Sequence, residues 1–326
     1  MPATPLTIYC NAMFSDAATE ILKKGVGSHR LLFPTARKAS NLAAGGVDPL
    51  LAEADIALGQ PDPAQIIELR RLRWVHLTTA GYTRYDTDAM RSALRGRKAA
   101  LTNSSMVYDE PCAEHMMAMI LAMARRLPQS HDEQDSDRAW RSAEHRLGSR
   151  LLEGQSIVIL GFGAIARRLV ELLAPYRMKI SAIRRRVKGD EPVATFDWAK
   201  LPELLKDADH VANILPSAAS TDGAFDAKLI SLLKPTAYFY NVGRGTTVDQ
   251  SALVAALNGK KIAGAYLDVT DPEPLPMDHP LWTAMNTYIT PHTAGGHSNE
   301  FERLVEHFLT NLRRFERGES LNDQVI

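Results

Sequence analysis

His292 stands directly after a proline and three residues before a glycine pair in ITPHTAGG, residues 289 to 296. An imidazole placed there could pass a proton to a substrate or merely bond to backbone, and one histidine alone does not decide. Two further groups sharpen the question. Arg244 lies between Gly243 and Gly245 in NVGRG, and Glu273 lies in the proline-rich turn of LDVTDPEPLP, a few residues after Asp268. Each follows a β-type run, so three strand ends would bring a guanidinium, a carboxylate and an imidazole to one rim of a sheet. That trio suits a reaction in which negative charge develops on a ligand oxygen, since a cation and a proton donor would already be aimed there. A carboxylate beside an imidazole stabilises imidazolium and keeps the donor available near neutral pH. This arrangement predicts that replacing Glu273 shifts the pH dependence of the proton transfer to lower pH. Taken singly, each group also has a plainer use: Arg244 could cap a strand end, Glu273 could sit in solvent, and His292 could bond backbone.

A second motif points to a cofactor. SIVILGFGAIARRLVELLA contains Gly161-Phe162-Gly163-Ala164-Ile165-Ala166, a strand, tight turn and helix of the kind that cradles a dinucleotide. The first glycine permits the turn and the second lets backbone approach a pyrophosphate. The helix start supplies N–H donors and positive potential. An ordinary glycine turn between strand and helix is the alternative. The second strand, KISAI, would end in Asp or Glu if NAD were the cofactor, because a carboxylate accepts hydrogen bonds from the ribose hydroxyls. Arg184, Arg185 and Arg186 stand there instead. A carboxylate would repel the extra phosphate of NADP, whereas guanidinium groups grip it through paired charge-assisted bonds. NADP, with NADPH preferred and NAD possible, is the expected cofactor; three solvated surface arginines are the other reading.

These groups need a scaffold. Short apolar runs alternate with helical patterns almost throughout, which is the signature of parallel sheets covered on both faces, an α/β architecture. There are strands enough for two sheets, and 326 residues suffice for about two domains. The polar stretch 128 to 154 reads as a boundary, and an earlier boundary near residues 100 to 104 reads equally well. Residues 110 to 126 form a long buried helix whose Met-rich face is core rather than a cofactor box. The last helix carries an apolar stripe of Phe301, Leu304, Val305, Phe308 and Leu309 and must dock on something. With 45% hydrophobic and 23% charged residues the chain reads as a soluble globular protein. Its formal net charge of zero offers no global field for nucleic acid or an anionic membrane. Cys10 and Cys112 are too few for a disulfide framework and lack zinc-site spacing, so no metal is expected. The start lacks a secretory pattern and no apolar run could span a bilayer, so a cytoplasmic home is expected.

Taken together, TTAGYTRYD, TNSSMVYDEPCAEH, GFGAIA, NILP, NVGRG, LDVTDPEPLP, TPHTAGG and GESLNDQVI resemble the D-isomer specific 2-hydroxyacid dehydrogenases over essentially the whole chain, nearest the glyoxylate/hydroxypyruvate reductase branch. The resemblance implies two doubly wound α/β domains, a Rossmann NAD(P)-binding domain and a flavodoxin-like substrate domain. The substrate domain would comprise residues 1–102 and, through the returning C-terminal helix, 294–326, with the cofactor domain at 103–293 between them. It implies NADPH-dependent reduction of glyoxylate, hydroxypyruvate or a similar small 2-keto acid to the (R)-2-hydroxy acid. Arg244 would bind the substrate carboxylate and keto oxygen, His292 would exchange the proton and Glu273 would pair with His292. The backbone of Ala80 and Gly81 would hold the substrate carboxylate, and Asp268 the nicotinamide carboxamide. Further cofactor contacts would fall on Gly161, Phe162, Gly163, Ala164, Ile165, Arg184, Arg185, Arg186, Leu215, Pro216, Thr221, Val242, Gly243, His292, Ala294 and Gly295. His115, Asp109 and Glu114 would support the long helix. A homodimer is expected, with the 128 to 154 segment as an arm, and Trp140 either reaches a partner's site or is an ordinary interface aromatic.

Met106 and the PS of NILPSAAST depart from the usual pattern, and side-chain selectivity is expected from loops such as FPTARKAS and GQPDP. A formate dehydrogenase would carry glutamine at position 273. A phosphoglycerate dehydrogenase with a regulatory extension would be longer. A non-catalytic NAD(P)-sensing corepressor-like protein is the alternative from another class, and would bind NADPH without consuming it.

Overall fold

The computed structural model describes residues 5–34 and 45–326. Residues 35–40, most of the FPTARKAS loop, lie outside them. The chain divides into two compact units, residues 1–108 with 297–326 and residues 109–296.

The first unit is built on five parallel strands, β1 (Thr7–Cys10), β2 (Arg30–Leu32), β3 (Ile56–Gly59), β4 (Trp74–Leu77) and β5 (Ala100–Thr102), in the order β2-β1-β3-β4-β5. That is the flavodoxin-like order. β1, β3 and β4 are buried at every position, as a parallel sheet covered on both faces requires. One face packs Ile8, Leu22, Ile56 and Trp74 with Val305, Phe308, Leu309 and Leu312 of the final helix, Glu300–Glu316. Burying each such side chain contributes about 1.5–3 kcal/mol. Trp74 stacks on Phe308 with ring centroids 5.1 Å apart. The final helix also lies against the helix Asp16–Gly25, where a Cβ on Gly25 would stand 2.2 Å from Leu309 Cδ1. Any side chain there would require Leu309 to move aside. Of the five residues in the expected stripe, Phe301 is not buried; it meets Phe14 edge-on near the surface.

The second unit holds seven parallel strands, β6 (Ser156–Leu160), β7 (Lys179–Ile183), β8 (Ala194–Phe196), β9 (His210–Asn213), β10 (Tyr238–Asn241), β11 (Gly264–Leu267) and β12 (Thr287–Ile289). Their order, β12-β11-β10-β9-β6-β7-β8, reverses direction between β6 and β9. An open parallel sheet with such a reversal has its ligand crevice at the carboxyl ends of those strands. The core is almost wholly aliphatic around the stacked rings of Phe225 and Phe239. The stretch that read as a boundary, 128 to 154, instead belongs to this unit and carries the helices Leu127–Asp135 and Ser142–Gly148. The long helix Ser105–Ala124 precedes it. Among the described residues no helix is long and apolar enough to cross a membrane, and no group of three or more His, Cys, Asp or Glu could hold a metal ion.

Candidate active site

β6 ends in the glycine turn. Gly161 takes φ +92°, a conformation open to glycine, and its N–H donates to Ile183 O of the neighbouring β7 at 2.9 Å. A Cβ on Gly161 would press on Ile214 O at 3.0 Å. Gly163 differs: a Cβ there would meet nothing within 4 Å, and it precedes the helix Ala164–Leu173, whose first turn has no side-chain cap. The helix start therefore faces open space with its N–H groups unclaimed by a capping side chain, which fits a pyrophosphate. Phe162 is buried and lies beneath the Arg167 guanidinium, 5.0 Å from its ring centroid. Ala164 and Ile165 open the helix.

The loops after β9 and β10 pack directly on one another. A Cβ on Gly243 would stand 2.6 Å from Leu215 O, so the residue must be glycine for the loops to meet. Leu215 and Val242 are buried there. Thr221 Oγ1 donates to Pro216 O at 2.6 Å, so its hydroxyl is used within its own turn. Beneath these loops Asn213, Asn241 and Thr247 form a buried polar staple that the motif reading missed. Asn213 Nδ2 donates to Asn241 Oδ1 at 3.1 Å and to Thr247 Oγ1 at 2.7 Å. Asn241 Nδ2 and Thr247 Oγ1 both donate to the carbonyl of Arg244, at 3.1 and 2.7 Å. The staple fixes the backbone that carries the guanidinium. Arg244 Nη1 donates to Gly243 O at 2.6 Å. Its other N–H groups have no partner among the described residues, leaving most of the fork for an anion.

β11 runs into Asp268, and β12 into His292. His292 Nδ1 lies 2.7 Å from Glu273 Oε2. The other Glu273 oxygen accepts from Thr270 N–H at 3.0 Å. Burial works to raise the Glu273 pKa, but the His292 bond, the Thr270 N–H and the charges of His292 and Arg244 outweigh it. The carboxyl is held below its ordinary range. The His292 and Glu273 side chains are 32% and 36% exposed, so the dyad is open to a small molecule. His292 itself has φ +53°, left-handed and unusual for a residue with a Cβ. Its N–H donates to Asp268 O at 2.8 Å, which helps hold that geometry.

Asp268 is 2% exposed and its carboxylate is already engaged. It accepts from Thr290 Oγ1 at 2.7 Å, Thr293 N–H at 2.8 Å and Ala294 N–H at 3.0 Å. In this structure the Asp268 side chain grips the loop that carries His292. Gly295 follows in that loop. His115 Nε2, on the long helix, lies 3.2 Å from Thr290 Oγ1, and burial lowers its pKa against the opposing pull of Asp268.

Arg184 leaves β7 next to the glycine turn, but its Nη1 donates to Glu191 Oε1 at 2.7 Å. Arg185 and Arg186 are exposed. In the other unit, Ala80 and Gly81 form the turn after β4. Their N–H groups have no hydrogen-bond partner among the described residues, while Ala80 O accepts from Asn103 Nδ2 at 2.6 Å and Gly81 O from Thr79 Oγ1 at 2.7 Å.

Comparison with known proteins identifies relatives of this chain. The family described as D-isomer specific 2-hydroxyacid dehydrogenase, NAD binding domain, matches residues 117–294. A glyoxylate/hydroxypyruvate reductase B from Shigella boydii serotype 4 is 31% identical over 267 residues, 79% of this chain and 81% of the relative. An uncharacterized protein in the proB 3' region of Corynebacterium melassecola is 37% identical over 241 residues, 70% of this chain and 75% of its own. A crystal structure of a D-isomer specific 2-hydroxyacid dehydrogenase from Xanthobacter autotrophicus, in complex with NADPH and MES, is 26% identical and superposes with a TM-score of 0.81 over 99% of this chain and 98% of that one. The matched residues, which include the glycine turn at Gly161 and Gly163, are those of an NAD-binding domain. The chain belongs to the D-isomer specific 2-hydroxyacid dehydrogenase family, on its glyoxylate/hydroxypyruvate reductase-like branch.

Proposed function

We propose that the protein reduces small 2-keto acids, such as glyoxylate or hydroxypyruvate, to (R)-2-hydroxy acids with NADPH as the preferred reductant. The observation that carries this reading is the His292–Glu273 pair, 2.7 Å apart, standing in the same unit as Arg244 at the carboxyl ends of β10, β11 and β12. NADPH, when bound, supplies the hydride to the keto carbon. Arg244 draws the substrate's carboxylate and keto oxygen onto its guanidinium and stabilises the charge that grows on that oxygen. Glu273 holds the imidazole by Nδ1, which turns Nε2 outward. Protonated His292 gives its Nε2 proton to the keto oxygen as the charge develops, so hydride and proton add across the carbonyl and the hydroxy acid results. The N–H groups of Ala80 and Gly81 are suited to an anionic group such as a carboxylate. The exposed Arg185 and Arg186, leaving the strand beside the glycine turn, support the preference for the 2'-phosphate.

A panel of 2-keto acids assayed with NADPH and with NADH tests the whole reading. Turnover with at least one small 2-keto acid, at higher kcat/KM with NADPH, is expected. Efficiency with NADH equal to or above that with NADPH overturns the cofactor preference, and nucleotide binding without turnover of any keto acid overturns the enzyme reading.

The same proposal includes a homodimer. Trp140 is 94% exposed, and Leu127, Leu147 and Leu151 are exposed on the same segment, an apolar display that a second copy would cover. Light scattering coupled to gel filtration should give twice the chain mass of 36.0 kDa.

A further inference from the structure

The β7–β8 connection begins with three arginines, and the first of them is tied to the loop itself. Arg184 continues the β7 ladder, its N–H donating to Phe196 O at 3.0 Å, and its guanidinium turns back onto Glu191. The Glu191 side chain is 2% exposed although the loop around it lies at the surface. Its carboxylate collects three donors: Arg184 Nη1 at 2.7 Å and Lys188 N–H at 2.9 Å on Oε1, and Gly189 N–H at 2.8 Å on Oε2. The Lys188 N–H above all, with the Gly189 N–H and Arg184, outweighs burial and lowers its pKa to about 2. A surface carboxylate saturated in this way by its own loop is a clasp, since it ties the loop's first residue to its turn. Gly189, at φ +84°, lets the backbone curl around it. Arg185 and Arg186 stand on the short arc between the two ends of that clasp.

We propose that Glu191 is a positioning residue for cofactor discrimination: by clasping Arg184, Lys188 and Gly189 it presents Arg185 and Arg186 to the 2'-phosphate of NADPH, while Arg184 serves as a strut. The inference rests on the NADPH reading above. It goes beyond that reading by dividing the arginines into one that builds the loop and two that meet the ligand, and by assigning the dividing part to an acidic residue. The physical basis is entropy. Two arginines on a floating loop must be ordered when the phosphate arrives, whereas on a clasped loop most of that ordering is already done.

Calorimetric titration with adenosine 2',5'-bisphosphate and with 5'-AMP separates the phosphate contact from everything else the dinucleotide touches. The parent protein should bind the bisphosphate more tightly than 5'-AMP, and R185A/R186A should erase the difference. In E191A the bisphosphate should bind about fivefold to tenfold more weakly, with the 5'-AMP affinity moved by less than twofold. E191Q keeps an oxygen for the backbone N–H groups and should recover part of the loss. The KM for NADPH should rise in the same order across these variants. A parent that binds both nucleotides equally overturns the NADPH reading and this inference with it. A parent that discriminates through Arg185 and Arg186 while E191A binds the bisphosphate as well as before overturns the inference alone. Tighter bisphosphate binding by E191A also overturns it, since Glu191 would then be competing for Arg184 rather than clasping it. Equal weakening of both nucleotides marks general damage to the fold and overturns it too.

Discussion

Glu273 is ionised throughout the neutral range, because the His292 ring and the Thr270 N–H hold its pKa below the ordinary carboxylate value against its burial. The imidazole therefore works beside a fixed negative charge at 2.7 Å. Replacing Glu273 with glutamine keeps the shape and removes that charge, which disfavours the protonated ring. Because reduction needs the proton donor, the pH profile of kcat/KM for E273Q should move toward lower pH. An unmoved profile would count against the pairing. Arg244 offers a planar fork, so Arg244→Lys, which keeps charge and loses the fork, should lower kcat/KM for a 2-keto acid by about a hundredfold in steady-state assays. Near-parental efficiency would sink its proposed role. Both residues stood out in the sequence because proline and glycine flank them at strand ends. The duties of Asp268 and Glu191 did not stand out, since most of their partners are backbone N–H groups whose positions exist only in the folded loops.

The loop from Thr290 to Ala294 is an element held largely by one residue. Asp268 gives its carbonyl to His292 N–H and its carboxylate to Thr290 Oγ1 and to the N–H groups of Thr293 and Ala294. An amide has one acceptor oxygen where the carboxylate has two. D268N should therefore leave a buried donor unmatched and cost about 1–3 kcal/mol, read as a lower urea midpoint, together with a reduced kcat as His292 loses its fixed left-handed backbone. Unchanged stability and kcat would show that the loop stands without the carboxylate. Most strands were legible in the sequence as short apolar runs, because a parallel sheet covered on both faces demands them. The 128 to 154 stretch left the boundary open for a related reason. Its helices bury no hydrophobic face in the unit, so their composition is that of a linker.

Across the whole molecule, each unit conceals an uncharged imidazole. His76 is fully buried between Thr102 and Ser104 in the first unit, and His210 sits between Tyr240 and Gln155 in the second. Burial lowers the His210 pKa from 6.5 to about 4 and pushes that of His76 well below 6.5. With the folded values depressed, the unfolded chain takes up protons first. Stability is intact above pH 6.5 and is lost progressively as pH falls from there toward about 4. For His210 the loss should reach about 2 kcal/mol by pH 5, visible as a fall in urea midpoint that H210Q diminishes. An equal fall in both proteins would refute it. A different consequence follows from the split first unit. Ser15 and Glu302, 287 residues apart, are hydrogen-bonded partners, and Ile8, Leu22 and Trp74 share one core with Val305, Phe308, Leu309 and Leu312 of the final helix. During synthesis the part of that apolar face beneath the final helix stays uncovered until residues 300–316 have left the ribosome. Nascent chains arrested before residue 300 should therefore be captured by chaperones that hold apolar surface, and released once the closing helix emerges.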